Sequence, residues 1–299
     1  MIVALTGATG FLGGHVLQCA LDAGHTVHAL TRKPQAEREG VTWVPGSLDD
    51  EASLVALCEG AEAVIHVAGV VNGSAEAFDT GNRIGTKEML YAAEASHISR
   101  FVHVSSLAAR EPQLSLYGAS KKAAEDAVVT SMLDWRIVRP PAIYGPGDTD
   151  NLELFRFAKK GIVPLPPKGR MSVIHAEDMA RLIVAMVEGE APENIYEADD
   201  GMPGGWTHKD FAAAIGAAVG RKIVTFAMPS ALVRAGASLD GLLRGTKAKL
   251  TPDRAAYFCH PDWTIDPAKR PPTGLWTPRI GTAAGLAATA AWYREKCWL

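Results

Sequence analysis

The stretch TGATGFLGGHVL, residues 6–17, decides the fold. It places Gly7, Gly10 and Gly13 at a spacing of three between an apolar run, MIVALTG, and a run rich in alanine and leucine. The first run predicts a buried strand and the second a helix, so the glycines stand at a strand-to-helix turn. Glycine is needed where such a turn lets an anion approach the backbone amides of a helix N-terminus. The stretch therefore predicts a dinucleotide-binding turn, with a plain glycine turn as the alternative. Contacts to the cofactor are expected from Gly7, Thr9, Gly10, Phe11, Leu12 and Gly13.

The same alternation continues through the first 140 residues. The β-branched runs TVHALTR, AVIHVAG, RFVHVSS and DWRIVRP are separated by helical stretches such as GTKEMLYAAEASH. These strand runs show little polar alternation, which is typical of parallel strands buried on both faces. The pattern predicts an α/β fold with a Rossmann-type, doubly wound parallel sheet. Beyond Pro140, breaker-rich loops indicate a smaller C-terminal lobe for substrate. The expected division is 1–148 and 173–200 for the dinucleotide-binding domain, and 149–172 and 201–299 for the lobe.

Composition excludes several classes of function. The chain has 299 residues and a net charge of −3, which does not suggest a nucleic-acid partner. No run of 18 apolar residues predicts a membrane span. The four cysteines form no C-x-x-C pair, so no metal site is expected, and their scatter fits a reducing cytoplasm.

The end of the second predicted strand bears on the choice of cofactor. An NAD-binding protein usually carries a carboxylate there for the ribose hydroxyls, but this sequence has Arg32 and Lys33. Two cations suit a 2′-phosphate through charge-assisted hydrogen bonds, which favours NADP over NAD. In the alternative, Arg32 is a solvated charge that only stacks on adenine. Further cofactor contacts are expected at the ends of the third and fourth strands, from Ser47, Leu48, Ala68 and Gly69.

Three polar residues near the fifth strand suggest proton transfer. Tyr117 and Lys121 lie four residues apart in SLYGASKKAAE, which places them on one face of a helix. A nearby ammonium favours the tyrosinate and so prepares the phenol to exchange a proton at neutral pH. Ser106 follows the strand at its carboxyl end, where doubly wound sheets bind ligands. In the alternative, Tyr117 and Lys121 are an ordinary exposed helix pair.

Together the motifs TGATGFLG, HVAG, VSS, YGASK and RPPAIYGPGD resemble the extended short-chain dehydrogenase/reductase superfamily, in its NAD-dependent epimerase/dehydratase branch. The resemblance implies that Tyr117 is the general acid/base, Lys121 its partner and Ser106, rather than Ser105, the anchor of the substrate oxygen. It implies that Asn82 lies near the substrate, and that homodimers are common in the superfamily. It also implies that the loop after the sixth strand borders the nicotinamide, with contacts from Pro140, Pro141, Ala142 and Ile143.

The predicted function is hydride transfer between NAD(P) and a secondary alcohol or ketone. An epimerase would use two such steps and a reductase one, and the sequence leaves both open. A sugar nucleotide would call for cations in the second lobe. An apolar ketone would instead use the leucine-rich helix PSALVRAGASLDGLLRG, for which core packing, a dimer face and a membrane contact are the other expectations. The rival from another class is a non-catalytic dinucleotide-binding regulator or assembly subunit.

Overall fold

A seven-stranded parallel sheet forms the centre of the first of two structural units. The computed structural model of the protein describes residues 1–245 and 250–299. The chain folds into unit 1 (residues 1–140, 177–198 and 267–277) and unit 2 (residues 141–176, 199–266 and 278–299). The strands of the sheet are β1 Ile2–Thr6, β2 Thr26–Thr31, β3 Val41–Pro45, β4 Ala63–His66, β5 Arg100–Val104, β6 Asp134–Arg139 and β11 Asn194–Glu197.

The order of these strands confirms the predicted fold class. All neighbours are parallel, and the order is β11-β6-β5-β4-β1-β2-β3. The chain therefore runs outward from β1 to β3 and then returns to β4 beside β1, so the direction of winding changes between β1 and β4. Ligands of doubly wound sheets bind at the strand ends beside this change.

Helices connect these strands, and their limits follow from local sequence signals. The helices are α1 Phe11–Asp22, α2 Glu51–Cys58, α3 Ala75–Phe78, α4 Gly85–Ala95, α5 Leu116–Val129 and α7 Ala176–Glu188. Asp50 and Ser115 begin α2 and α5 as N-caps, because their side chains accept hydrogen bonds from the backbone N–H groups of Ser53 and Gly118. A π-helical turn, Asp79–Ile84, precedes α4, and a 3₁₀ turn, Leu107–Arg110, follows β5.

The core of unit 1 lies between the sheet and its helices. Leu54 and Leu57 from α2, Met89 from α4 and Phe101 from β5 are fully shielded from solvent. Burial of apolar side chains of this size stabilises the fold by about 1.5–3 kcal/mol each. The sheet and its helices, including the helix N-termini, are therefore fixed in position by this packed hydrophobic core.

Unit 2 contains smaller sheets and five helices among the described residues. Its strands are β7 Ala142–Tyr144, β8 Ile162–Leu165, β9 Arg170–Met171, β10 Val173–His175, β12 Trp206–Thr207, β13 Val224–Ala227 and β14 Asp262–Trp263. Its helices are α6 Leu152–Lys160, α8 His208–Ala218, α9 Ser230–Arg244, α10 Pro252–Phe258 and α11 Thr282–Glu295. A buried cluster of this unit surrounds Phe155, Phe211 and Tyr293.

The two units differ in their bounds from the expected domains. Residues 267–277 are expected in the second lobe from the sequence but belong to unit 1. Lys269 Nζ lies 3.9 Å from Glu197 Oε1, and the indole of Trp276 donates a 3.0 Å hydrogen bond to the carbonyl of Asp178. Residues 246–249, also expected in that lobe, lie outside the described residues. The functional roles of the two units stay predictions.

Candidate active site

The turn between β1 and α1 packs tightly against neighbouring backbone, which requires glycine at two positions. Gly7 has φ +79°, and a Cβ there would lie 2.7 Å from the backbone nitrogen of Ala68. A Cβ at Gly13 would lie 1.9 Å from the carbonyl oxygen of Gly7. Gly10 N–H donates to Gly7 O at 2.9 Å, and α1 starts at the next residue, Phe11. The two glycines thus let the turn fold tightly against β4 and its own helix.

This turn fits the pyrophosphate of a dinucleotide. Gly10 is the N-cap of α1, and no side chain caps the helix, so the N–H groups of the first turn have no partner within it. Thr9 and Gly10 are exposed, while Phe11 and Leu12 are half-buried. Backbone donors and the positive end of the helix dipole therefore meet at an accessible point, which is the arrangement that binds phosphate.

The ends of β2 and β3, where contacts to the adenosine are expected, lie beside each other. Arg32 directly follows β2 and is exposed, as is Lys33. Ser47 donates a short hydrogen bond to Asp49, and this bond lowers the pKa of the Asp49 carboxyl, with a smaller contribution from the positive charge of Arg32. No sequence motif marks Asp49, whose carboxylate lies near Arg32, the cation expected to bind a 2′-phosphate. Leu48 is half-buried against α4, since a Cβ at Gly85 would lie 2.8 Å from its Cδ1.

A chain of buried hydrogen bonds fixes the ends of β1 and β4. Ala68 N–H donates to Thr6 Oγ1 at 3.2 Å, and Thr6 Oγ1 lies 2.8 Å from His66 Nδ1. His66 Nε2 lies 3.1 Å from Thr86 Oγ1, which donates to the Asn82 carbonyl at 2.6 Å. Each hydroxyl has one hydrogen, so His66 accepts at Nδ1 and donates at Nε2. Burial, helped by the charge of Lys121, lowers the pKa of His66 to about 3 and keeps this ring neutral.

Asn82 joins the loop after β4 to helix α5. Its Oδ1 accepts from Val70 N–H at 2.7 Å, and its Nδ2 donates to Val70 O at 2.9 Å and Ser120 Oγ at 2.8 Å. Asn82 is 1 % exposed. These contacts use its amide group within the protein and give Asn82 a positioning role. The substrate contact expected for Asn82 stays a prediction.

Gly69 leaves the space between Asn82 and Lys121 open. A Cβ at Gly69 would lie 2.9 Å from Asn82 Oδ1 and 3.2 Å from Lys121 Nζ. Gly69 is exposed and Ala68 is half-buried, so the backbone at the end of β4 is accessible beside the lysine. The arrangement suits the close approach of a ribose to the backbone, as expected for these two residues.

Lys121 is buried beside the carboxyl end of β5. Its Nζ donates a 2.9 Å hydrogen bond to the carbonyl of Val104, and the residue is 5 % exposed. Burial lowers the pKa of Lys121 to about 8, although the negative charge of Glu125, one helical turn further on, opposes this shift. The ammonium form therefore predominates at neutral pH.

Tyr117 occupies the first turn of the same helix. It is half-buried, and its ring centroid lies 5.9 Å from that of Phe78. The helix approaches the turn that carries Ser106 very closely, because a Cβ at Gly118 would lie 2.6 Å from the carbonyl oxygen of Ala108. Ser106, Tyr117 and Lys121 thus come from adjoining segments at one end of β5.

The two neighbouring serines have different environments. Ser105 is buried, and its hydroxyl donates a 2.5 Å hydrogen bond to Glu125 Oε1. Ser106 is half-buried and caps the 3₁₀ turn by accepting from Ala108 N–H at 3.2 Å. In this contact the Ser106 hydroxyl acts as an acceptor, so its hydrogen can be donated to another group. The hydrogen of the Ser105 hydroxyl is already donated to Glu125.

Glu125 belongs to a buried ionic network below these serines. Arg139 binds Glu125 through two nitrogens, at 2.6 and 2.8 Å, and lies 3.4 Å from Glu197. Both carboxylates are at most 1 % exposed. Breaking a buried pair of this kind costs about 3–5 kcal/mol, so the network holds α5 against β6 and β11. No sequence pattern marks this network, since its members lie 14 and 58 residues apart.

The expected nicotinamide loop is divided between the two units. Pro140 belongs to unit 1, and its carbonyl accepts from Leu107 N–H at 3.1 Å, next to Ser106. Pro141, Ala142 and Ile143 belong to unit 2, where Ala142 and Ile143 form part of β7 and pair with β10. The cofactor contacts expected of this loop stay predictions.

The described residues contain neither a metal-binding cluster nor a membrane-spanning helix. No group of three or more histidine, cysteine, aspartate or glutamate residues within 1–245 and 250–299 is placed to hold a metal ion. Over the same residues, no helix has the length and apolar character that crossing a membrane requires.

Comparisons with known proteins agree with the geometry of the turn. A model of the NAD(P)H-binding family matches residues 7–190. The chain is 37 % identical to a ceramide reductase of Caulobacter vibrioides, covering 100 % of this chain and 96 % of the relative. It is 27 % identical to a 2-alkyl-3-oxoalkanoate reductase of Stenotrophomonas maltophilia, covering 96 % and 97 %. The crystal structure of a UDP-N-acetylglucosamine 4-epimerase from Bacillus cereus superposes with a TM-score of 0.73 at 20 % identity, covering 98 % and 96 %, which shows a shared fold alone.

Proposed function

The chain belongs to the NAD(P)H-binding proteins of the extended short-chain dehydrogenase/reductase type, and from that premise we propose that it reduces a ketone carried on a long-chain lipid. As an NAD(P)-dependent reductase of this family, it would convert the carbonyl to a secondary alcohol. The observation that carries the lipid substrate is the 37 % identity with a ceramide reductase over both full lengths. The second relative, a 2-alkyl-3-oxoalkanoate reductase, is also named for a substrate with hydrocarbon chains.

The residues around the end of β5 support the proton-transfer half of this reaction. A bound nicotinamide cofactor would supply the hydride to the carbonyl carbon of the ketone. Ser106 would donate its hydroxyl hydrogen to the carbonyl oxygen and hold it in place. Tyr117 would then protonate that oxygen as the alcohol forms. The positive charge of the Lys121 ammonium would stabilise the tyrosinate that remains.

NADPH is proposed as the preferred cofactor because of the cation after β2. Arg32 is exposed, and a guanidinium can bind a 2′-phosphate through two parallel hydrogen bonds. The nearby Asp49 carboxylate would favour ribose hydroxyls over a phosphate, so the preference is expected to depend on Arg32.

The proposal is tested by turnover of a long-chain 3-oxo lipid in detergent micelles, followed by NADPH absorbance. Wild type should oxidise NADPH and form one secondary alcohol for each NADPH consumed. Tyr117→Phe should lower kcat by about 10²–10⁴-fold, the usual contribution of a general acid, while leaving cofactor affinity unchanged. Tyr91→Phe is the matched control, since Tyr91 is an exposed tyrosine on α4, and it should keep wild-type activity.

Two outcomes would overturn the proposal in favour of other functions. Interconversion of UDP-sugars without net consumption of NADPH would indicate an epimerase. Tight NADPH binding with no turnover of lipid ketones, other ketones or sugar nucleotides would indicate a non-catalytic dinucleotide-binding subunit. Full activity of Tyr117→Phe would remove that residue from the mechanism while leaving the substrate assignment intact.

A further inference from the structure

Helix α9 of unit 2 exposes leucines on one side. Leu232, Leu239, Leu242 and Leu243 are 56–83 % exposed. We call these four residues the leucine face. A small buried cluster lies on another side of the same helix, where Val233 and Ala237 pack with Ala255 and Met228.

The spacing of the leucines confines them to one sector of the helix. Leu239 and Leu243 follow Leu232 by seven and eleven residues, which returns them close to the same angular position at 3.6 residues per turn. Leu242 lies about 60° from Leu239 by the same geometry. The helix thus has two apolar sides, one packed in the core and one facing outward. A helix needs only one apolar stripe to join a core, so the second requires another explanation.

The segment that carries this helix is strongly basic. Residues 221–254 contain seven lysines and arginines and two aspartates, a net charge of +5. The whole chain has a net charge of −3, so the remaining residues together carry −8. Arg221, Lys222, Arg234 and Arg244 are exposed among the described residues of the segment, and Arg244 Nε lies 3.3 Å from Asp240 Oδ1. Exposed leucines within a local excess of cations are the combination that binds an anionic lipid surface.

We propose that the leucine face docks on an anionic lipid bilayer and inserts its side chains at the level of the headgroups. The inference extends the proposed function, since a long-chain lipid ketone resides in a membrane and the enzyme must reach it there. Insertion buries the leucine side chains in hydrocarbon, and the exposed cations Arg221, Lys222 and Arg234 remain among the lipid phosphates.

A second copy of the chain fits this surface less well. In a twofold-symmetric dimer the same patch meets itself, so two segments of charge +5 would lie face to face. Juxtaposed like charges oppose association, whereas the same charges attract an anionic bilayer. The charge of the segment therefore favours a lipid partner over self-association.

The test is co-sedimentation of the full chain with vesicles. Vesicles of phosphatidylcholine should bind weakly, and vesicles with about one-third phosphatidylglycerol should bind strongly. Raising salt from about 0.1 to about 1 M should weaken binding to the anionic vesicles, because the screening length falls from about 10 to about 3 Å. The double variant Leu242→Ser, Leu243→Ser should bind at least about tenfold more weakly, from the loss of two inserted side chains. Arg234→Gln should weaken binding by roughly fivefold.

Met132→Ser is the matched control, since Met132 is the most exposed large apolar residue among those described, at 93 %, and lies in unit 1. This variant should bind vesicles as wild type does. Binding that ignores lipid charge, or that the leucine variant retains in full, would overturn the proposal. Loss of a stable dimer in the leucine variant, with no vesicle binding by wild type, would assign the face to self-association.

Activity on a short, water-soluble 3-oxo ester separates this inference from the proposed function. The leucine variant should keep full activity on the soluble ketone and lose activity on ketone embedded in anionic vesicles. Vesicle binding without reduction of any ketone would refute the proposed function alone. Reduction of the lipid ketone without vesicle binding would refute the docking surface alone.

Discussion

Replacing Lys121 with methionine should make the protein more stable near neutral pH while it abolishes turnover. Methionine keeps most of the volume of the lysine side chain but carries no charge into the buried site. The pKa of Lys121 is lowered by burial from 10.5 to about 8. One pKa unit corresponds to about 1.4 kcal/mol, so holding the ammonium in the folded protein costs about 3 kcal/mol at neutral pH. Loss of the hydrogen bond to Val104 O offsets part of the gain, by about 1 kcal/mol.

The pH dependence of this difference is a sharper test than its size. Below pH 8 the lysine is protonated in both the folded and the unfolded states, so the full cost is present. Between pH 8 and 10.5 the unfolded state binds more protons than the folded state, and the stability of wild type rises with pH. At about pH 9.5 the cost of holding the ammonium in the folded protein is about 1.5 kcal/mol. The stability advantage of Lys121→Met should therefore shrink by about 2 kcal/mol between about pH 7 and about pH 9.5. Packing and hydrogen-bond effects of the substitution cancel in this comparison.

Urea unfolding followed by circular dichroism, for both proteins across this pH range, measures the difference. Lys122→Met is the matched control, because the Lys122 side chain is 41 % exposed and pairs with Asp126 at the surface. Its stability difference from wild type should not vary with pH. A constant difference for Lys121→Met from about pH 7 to about pH 9.5 would refute the conclusion that Lys121 is a buried ammonium whose burial opposes folding.

Three further predictions concern the glycine turn, the two serines and the cofactor. Gly13→Ala should abolish cofactor binding and lower the melting temperature, because its Cβ would meet Gly7 O at 1.9 Å. In Gly14→Ala the new Cβ would lie in ordinary contact, 3.7 Å from Ala8 O. This variant should bind the cofactor as wild type does, and its free energy of unfolding should rise by about 0.5–1 kcal/mol. Equal effects of the two variants on cofactor binding and melting in calorimetry would contradict the steric argument. Ser106→Ala should lower kcat by about tenfold or more at unchanged stability. Ser105→Ala should lower the unfolding free energy by about 1–3 kcal/mol at nearly unchanged kcat, and the reverse pattern would exchange their roles. Arg32→Ala should weaken NADPH binding by about tenfold and leave NADH binding unchanged in fluorescence titrations, and equal losses for both would exclude a contact to the 2′-phosphate.

The parts of the site that the sequence predicted are those that depend on neighbours along the chain. The helix pair Tyr117 and Lys121 lies on α5 as its spacing indicated, and Ser106 follows β5 at the expected end. The glycine turn could be predicted from the sequence because two backbone segments approach so closely there that only glycine, which has no Cβ, fits. The roles assigned to these side chains still await the tests above.

Other features of the site could not be predicted, because they join residues that are far apart in sequence. The Asn82 side chain binds Val70, 12 positions away, and Ser120, 38 positions away, and neither contact follows from a sequence pattern. The neutral ring of His66 forms hydrogen bonds with Thr6, 60 residues earlier, and with Thr86, 20 residues later. No periodicity or motif marks such pairs, since each residue alone resembles an ordinary polar residue at a strand end.

By itself the sequence determined the succession of strands and helices, the class of the sheet and the position of the glycine turn between β1 and α1. Side-chain periodicity and the steric demands of glycine act over a few residues, so these features can be read locally. Only the tertiary structure decided that residues 267–277 return to unit 1. It also decided that the Ser105 hydroxyl donates its hydrogen bond to Glu125 and that the Lys121 ammonium is buried away from solvent. Burial and long-range hydrogen bonds set these properties, and both exist only once distant segments have packed together.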